Sequence, residues 1–304
     1  MSGGWSAAID PAADTGWADA PARKGFFTDS SICIGCKACE VACKEWNDIP
    51  EDGLHLLGMS YDNTGALGAS TWRHVAFIEQ PKRSNGNGGF TPLPMVPAKP
   101  GEADISIGDA GVRWLMSSDV CKHCTHAACL DVCPTGALMR TEFGTVVIQD
   151  DVCNGCGYCV AACPFGVIER REGPADARNI GIAQKCTLCY DRLGEGMMPA
   201  CAQACPTQSI QFGDLDELRV RAQHRVEELH GTGVTDARLY GADANDGIGG
   251  AGAFFLLLDE PEVYGLPPDP VVTTRDLPTM WRTAAFAGGT LLAGAAAAFA
   301  RARS

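Results

Sequence analysis

Cysteine is the residue type that most constrains this chain. Sixteen cysteines occur among 304 residues, and they fall into four sets of four with none left over. This is about 5% of the residues, below the density of small disulfide-stapled domains, and a chain this long needs no such staples. The pattern therefore predicts metal ligands rather than disulfides. The sets are Cys33, Cys36, Cys39 and Cys43 (set one); Cys121, Cys124, Cys129 and Cys133 (set two); Cys153, Cys156, Cys159 and Cys163 (set three); and Cys186, Cys189, Cys201 and Cys205 (set four).

The spacing within the sets indicates which metal group they bind. Sets one and three have the C-x2-C-x2-C-x3-C spacing of bacterial ferredoxins, in which three thiolates hold one [4Fe–4S] cluster and the fourth ligates the neighbouring cluster. Sets two and four are variants with a longer internal loop, and Lys44 follows set one where proline is usual. Structural zinc and a redox-active C-x-x-C pair are the alternatives. The spacing favours four [4Fe–4S] clusters, held through iron by all sixteen cysteines.

Distance along the chain predicts how the sets exchange their fourth cysteines. Only 19 residues separate Cys133 from Cys153, as in a compact two-cluster ferredoxin, so sets two and three should exchange. Sets one and four are then left to pair in the same way. The predicted groups are Cys33, Cys36, Cys39 and Cys205 (cluster 1); Cys121, Cys124, Cys129 and Cys163 (cluster 2); Cys153, Cys156, Cys159 and Cys133 (cluster 3); and Cys186, Cys189, Cys201 and Cys43 (cluster 4).

Five other polar side chains lie beside the predicted ligands. His123 and His126 fall between cysteines of set two, but each set already supplies four thiolates, so we expect neither to ligate iron. Lys37, Lys122 and Lys185 each adjoin or closely flank a cysteine. A cation there would raise the reduction potential of a cluster, although the favoured interpretation is ordinary solvated lysine.

The remaining segments predict an α+β fold of duplicated ferredoxin-like units with an insertion and a C-terminal helical extension. We expect a disordered tail over 1–27, with a partner-wrapping arm as the alternative; the tail carries no apolar stretch or twin arginine typical of a signal peptide. A four-cluster domain follows at 28–213, interrupted by an insertion at 44–120, and an extension occupies 214–270. The expected strands are Val75–Glu79, Ala137–Arg140 paired with Thr145–Ile148, Gly166–Glu169, Ser209–Phe212 and Ala251–Leu258. A loop is expected over Lys82–Gly101, and a helix over Asp214–His230 with Asp214 as its cap and Gly231 at its end.

Net charge and the last apolar segment bear on partners. The formal net charge of −13 excludes a nucleic-acid binder, which needs clustered cations. Residues 283–300 are uncharged, just long enough to span a bilayer, and followed by Arg301 and Arg303. Nine of these residues are alanine, so the predicted transmembrane helix is weakly apolar and would need a partner; a soluble helix is the alternative. The two arginines would place its C-terminus in the cytoplasm.

Several stretches resemble the iron–sulfur (beta) subunit of membrane-bound formate dehydrogenases, from Gly25 to near the C-terminus. They are SICIGCKACEVACKEWND, CKHC, CNGCGYC with CPFG, KCTLCYDR with PACAQACPT, and EVYGLPPDP. The cysteine pattern alone is similar to that of iron–sulfur subunits of molybdopterin oxidoreductases in general. The resemblance implies a catalytic subunit that oxidises formate at a molybdenum or tungsten pterin. It also implies that this chain, itself non-catalytic, passes electrons to a cytochrome b subunit and quinone at the cytoplasmic membrane.

Other functions remain open at this point. The same relay could serve a dimethyl sulfoxide, polysulfide or nitrate reductase, or a hydrogenase. A free-standing soluble polyferredoxin and a zinc-organised scaffold belong to different classes. Iron content and the neighbouring catalytic chain distinguish these alternatives.

Overall fold

The computed structural model describes residues 11, 15–52, 61–62, 64–81, 112–173, 178–272, 274 and 276–302. The loop predicted over Lys82–Gly101, and most of the first 14 residues, lie outside these ranges. The helices are α1 (Ala38–Trp46), α2 (Ala128–Asp131), α3 (Tyr158–Ala162), α4 (Tyr190–Gly194), α5 (Ala200–Gln203), α6 (Leu215–Gly231) and α7 (Leu277–Ala302). The strands are β1 (Lys24–Asp29), β2 (Arg73–Pro81), β3 (Val112–Val120), β4 (Leu138–Arg140), β5 (Val146–Ile148), β6 (Glu169–Arg170), β7 (Ala183–Gln184), β8 (Ile210–Asp214), β9 (Arg238–Tyr240) and β10 (Ala253–Leu257).

A sheet with strand order β8-β1-β10-β9 joins the beginning of the chain to its end. β1 runs parallel to β10, with Phe27 opposite Phe254, and antiparallel to β8. One face of the sheet packs against α6 through Phe27, Phe254 and Leu218. The other face turns Phe26 and Phe255 toward a core that also contains buried cysteines. Both faces are covered, which explains why β10 is apolar without alternation.

Removing one aromatic ring from this sheet should destabilise the protein substantially. Phe254 is fully buried and stacks on Phe27 with ring centroids 5.3 Å apart. We expect Phe254→Ala to cost about 3–5 kcal/mol, because the ring leaves a cavity between sheet and helix. Thermal unfolding followed by circular dichroism measures the effect. Val220→Ala on α6, whose side chain is 73% exposed, is the control; equal unfolding temperatures for the two variants would contradict the prediction.

The N-terminal boundary differs from the sequence prediction. β1 begins at Lys24, inside the segment expected to be a disordered tail, and buries Phe26 and Phe27 completely. The indole nitrogen of Trp17 also donates to the Arg140 carbonyl at 3.1 Å. The part of 1–27 from Lys24 onward is therefore sheet, because β8 and β10 supply partners for its backbone.

The C-terminal extension largely matches its prediction. β10 lies within the predicted strand Ala251–Leu258, and α6 covers the predicted helix apart from its first residue. Asp214 occupies the predicted N-cap position, but its side chain makes no capping hydrogen bond and instead pairs with Lys24. The predicted end is confirmed: Gly231 is the last residue of the helix, and Thr232 is its C-cap.

Short hairpins surround the cysteines. β4 pairs with β5, as predicted, and β2 confirms the strand predicted at Val75–Glu79. β3, the antiparallel partner of β2 within the insertion, was not predicted. The strand predicted over Gly166–Glu169 is wrong for its first three residues, because Gly166 turns the chain with φ of +62° and donates to the Cys163 carbonyl. The strand predicted at Ser209–Phe212 is β8, shifted by one to two residues.

α7 stands apart from the rest of the described structure. Its segment Thr279–Arg301 is long and apolar enough to cross a membrane, and none of its most apolar window is buried. This helix contains the predicted segment 283–300.

Candidate iron–sulfur centres

Each cysteine set contains the same backbone turn. The residue immediately before the second cysteine has a left-handed conformation in every set: Gly35 (φ +66°), His123 (+44°), Gly155 (+70°) and Leu188 (+58°). Glycine adopts this conformation at no cost, whereas histidine and leucine are strained in it. At Gly35 a Cβ would also lie 2.6 Å from the ring of Phe77. Such turns direct successive backbone N–H groups and the flanking thiols toward one point, as anion-binding nests do.

One cavity is lined by three cysteines of set one and by the last cysteine of set four. Cys33, Cys36, Cys39 and Cys205 line one cavity together with Val75 and Ser118. Cys205 is distant from the other three in the sequence, and the contact between α1 and α5 brings it there. The insertion strands β2 and β3 supply Val75 and Ser118, so the insertion closes this site.

A second cavity joins sets two and three. Cys121, Cys124, Cys129 and Cys163 all line this cavity. His123 and Lys185 also line it. The structure thus places Cys163 with the first three cysteines of set two.

The remaining thiols form two further groups. Burial raises the pKa of the Cys43 thiol well above its usual value, and the thiols of Cys201, Cys186 and Cys189 raise it further. The Asn47 amide links two of these residues, with Nδ2 3.8 Å from Cys43 Sγ and 3.9 Å from Cys189 Sγ. Burial likewise raises the pKa of Cys159 to about 11, with further contributions from Cys153, Cys133 and Cys156. All sixteen cysteines are free of disulfide bonds.

These buried thiols suit a metal group that keeps them deprotonated. Burial raises the pKa of Cys39 to about 11 and that of Cys129 to about 12, so neither thiol would ionise at neutral pH without a counter-charge. Bound iron supplies that charge, and its binding releases the thiol protons. Four thiols around an enclosed space therefore fit a [4Fe–4S] cluster, which would be held by the cysteines of each group.

Two of the lysines beside the cysteines are buried, contrary to the favoured interpretation from sequence. Lys122 and Lys185 are 1% and 2% exposed. Lys122 pairs with Asp119 and lies 5.1 Å from the ring centroids of both Phe165 and Phe255. Lys185 donates to the Val146 and Cys186 carbonyls. The prediction of solvated lysine is wrong for this pair because the cysteine core packs around the whole side chains.

Lys37 and His123 complete the polar surroundings. Lys37 pairs with Glu40 at 3.1 Å and Asp62 at 3.2 Å. His123 Nδ1 accepts a hydrogen bond from the Val146 N–H at 3.1 Å, while its buried Nε2 has no partner among the residues that the structure describes. Burial lowers the pKa of His123 well below its usual value, so the ring is neutral and Nε2 carries the proton. A buried N–H without an acceptor, in a residue lining the second cavity, fits a hydrogen bond to a cluster sulfur.

Sequence reasoning missed three polar residues around the thiols: Ser118, Arg73 and Asn47. Ser118 Oγ lies 3.4 Å from Cys39 Sγ, and Arg73 donates to the same hydroxyl at 3.0 Å. Both residues come from the insertion and lie far along the chain from Cys39, so the sequence gave no signal of this contact. Asn47 follows Cys43 by one helical turn, a spacing that could have indicated its contact.

Comparison with known proteins agrees with this geometry. Two family models, each described as a 4Fe–4S dicluster domain, match residues 32–137 and 112–215. The fold and the grouped thiols thus define an iron–sulfur protein with 4Fe–4S dicluster domains. The predicted fold class is confirmed, and the matches favour iron–sulfur clusters over zinc.

Curated relatives narrow this class. The formate dehydrogenase iron–sulfur subunit of Haemophilus influenzae is 38% identical over 84% of this chain and 71% of its own length. The nitrate-inducible formate dehydrogenase iron–sulfur subunit of Escherichia coli K12 is 37% identical, covering 88% of this chain and 79% of the relative. A subunit of the anaerobic dimethyl sulfoxide reductase of the same organism is 35% identical over 64% of this chain and 75% of the relative. This protein belongs to the family of formate dehydrogenase iron–sulfur subunits and functions in electron transfer.

Proposed function

We propose that the chain holds four [4Fe–4S] clusters, one in each cysteine group predicted above. Through them it relays electrons from a formate-oxidising molybdopterin catalytic subunit toward a cytochrome b subunit and quinone. The observation that supports this proposal is that neighbouring thiols connect the four groups in one series, called the line below. Each [4Fe–4S] cluster, when bound, exchanges one electron at a time. The two electrons released when formate becomes carbon dioxide and a proton would therefore cross in succession.

Neighbouring thiols support the order of the line. Cys39 of the first group and Cys201 of the fourth both face Arg73. Burial is the main cause of the raised pKa of Cys186 in the fourth group, and the nearby thiol of Cys121 in the second group is the next. The thiol of Cys159 in the third group is likewise among the groups that raise the pKa of Cys129 in the second group. The order is first, fourth, second, third.

Exposure supports the two ends of this line as the places where electrons enter and leave. Cys36 in the first group and Cys156 in the third group are exposed. Ligands of the two middle groups are mostly buried, including Cys43, Cys121 and Cys186. Partner subunits could therefore approach the first and third groups, whereas protein shields the two between them from solvent.

Coverage by relatives favours formate dehydrogenase over a dimethyl sulfoxide reductase complex. The matches to formate dehydrogenase subunits extend over 84–92% of this chain, against 64% for the dimethyl sulfoxide reductase subunit. The longer match accommodates the C-terminal extension. In this proposal α7 lies in the cytoplasmic membrane beside the cytochrome b subunit, since its apolar side chains have no partner within the described structure.

The test is anaerobic purification of the native complex, followed by electron paramagnetic resonance before and after addition of formate. We expect about sixteen irons per chain, from four clusters of four irons, and cluster signals that appear with formate. Clusters that dithionite reduces and formate does not would exclude the formate dehydrogenase assignment while keeping the relay. An isolated monomer without a catalytic subunit would instead support a soluble polyferredoxin.

A further inference from the structure

Arg73, at the start of β2, is a buried cation without a carboxylate partner in the described part of the chain. Its side chain is 1% exposed, and Nη1 donates to the Ser118 carbonyl at 3.2 Å and to Ser118 Oγ at 3.0 Å. Nε and Nη2 are buried, and neither has a hydrogen-bond partner in the described ranges. An unpaired guanidinium is costly to bury, so this arrangement requires a counter-charge that the described protein groups do not supply.

The neighbours of Arg73 indicate where that charge comes from. The guanidinium lies 4.9 Å from the centroid of the Phe26 ring, at the base of the β2–β3 hairpin, where Arg73 is paired with Val120 just before Cys121. Burial alone would lower the pKa of Arg73, but facing thiols outweigh it and raise the pKa further above its usual range. These thiols are Cys201, Cys39, Cys186 and Cys43, which belong to the first and fourth groups. The Ser118 hydroxyl provides a direct geometric link, because it accepts a hydrogen bond from Arg73 and lies 3.4 Å from Cys39 Sγ.

We propose that Arg73 is the shared counter-ion of the first and fourth clusters and that its charge raises the reduction potentials of both. A cluster with four thiolates is an anion whose charge grows on reduction, and a fixed nearby cation favours the reduced form. Arginine keeps its charge at every physiological pH. Arg73 thus acts on the relay through its charge, and the β2–β3 strand pair of the insertion holds it in place.

The third group is an internal reference. The principal neighbours of Cys159 are Cys153, Cys133 and Cys156, with no cation among them. This group lies at the opposite end of the line from the first. Loss of the Arg73 charge should therefore leave its potential unchanged.

The experiment is a potentiometric titration of the intact, anaerobically purified complex, monitored by electron paramagnetic resonance. Arg73→Gln removes the charge but keeps an amide that can donate to Ser118, and Arg73→Lys keeps the charge. We expect Arg73→Gln to lower the reduced-to-oxidised ratio of two clusters about tenfold at fixed potential, which is about 59 mV for one electron. Arg73→Lys should restore most of that shift.

Arg171→Gln is the matched control. Arg171 is also buried, at 3% exposure, and donates to the Ala69 and Arg178 carbonyls. Arg171 is not among the main charged groups that shift the pKa values of Cys39, Cys43 or Cys186. Unchanged potentials in Arg73→Gln, equal shifts in the Gln and Lys variants, or the same shift in Arg171→Gln would each overturn the proposal.

Iron content keeps the proposal testable if Arg73→Gln assembles poorly. A counter-ion role requires Arg73→Lys to retain more iron than Arg73→Gln, and equal loss from both would overturn it. The inference rests on the proposed assignment of clusters to groups. That assignment and the formate reaction are tested separately, by the iron content of the unmodified complex and its reduction by formate.

Discussion

Cys205→Ala is expected to remove the cluster of the first group and to leave the fourth group loaded, although Cys205 belongs to set four in the sequence. The reason is spatial: Cys205 lines the same cavity as Cys33, Cys36 and Cys39. Loss of one ligand should remove one cluster signal and up to about four irons per chain. Iron assay and electron paramagnetic resonance of the anaerobic complex measure both effects.

Double variants identify which cluster is lost, because substitutions within one site are not additive whereas those at separate sites are. Cys205→Ala combined with Cys36→Ala should remove no more iron than either alone. Cys205→Ala combined with Cys189→Ala should remove two clusters, up to about eight irons. The mirror control pairs Cys43→Ala with Cys189→Ala, which should behave as one site. The reverse pattern would mean that each set binds its own cluster without exchange.

The cysteine chemistry was predictable from sequence because the relevant information is local. Three thiols within one short loop can reach only one metal group, and the fourth must reach beyond it. The left-handed turn before the second cysteine is also visible as glycine at Gly35 and Gly155. At His123 and Leu188 the same turn has no sequence signal, since metal ligation rather than residue preference would stabilise it.

Tertiary contacts explain what the sequence did not reveal. β1 carries only two large apolar residues, Phe26 and Phe27, and its partner strands lie more than 180 residues further along the chain. The expectation that Asp214 caps α6 failed because Lys24 of the neighbouring strand competes for its carboxylate. Lys122 and Lys185 are polar residues whose burial depends on strands from distant segments.

Arg73 illustrates the same limit at the functional site. Nothing near it in the sequence marks it as a neighbour of the cysteines, because the insertion that contains it carries no cysteine of its own between Cys43 and Cys121. Only the pairing of β2 with β3 brings its guanidinium back to the thiols. The fixed charge of Arg73 can be read from the sequence, whereas its complete burial beside the thiols is a result of the fold.

Arginine in the middle of α7 is expected to release the chain from the membrane. Phe286, Leu291 and Leu292 are 77%, 75% and 73% exposed in the described structure, as suits side chains that face lipid or a membrane partner. Leu292→Arg replaces a favourable residue with one that costs about 3 kcal/mol or more at the centre of a membrane helix. Because the alanine-rich helix inserts weakly, this cost should shift the equilibrium by about two orders of magnitude.

The measurement is the distribution of this chain and its catalytic partner between membrane and soluble fractions, together with two formate-dependent activities. Reduction of quinone should fall more than about tenfold in Leu292→Arg, because electrons leaving the relay no longer reach the membrane acceptor. Reduction of a soluble dye should persist, since the thiol groups lie outside α7. Val220→Arg, at a side chain equally exposed on α6, should change neither activity. Membrane retention with normal quinone reduction in Leu292→Arg would show that α7 is a soluble helix and that partner subunits alone hold the chain at the membrane.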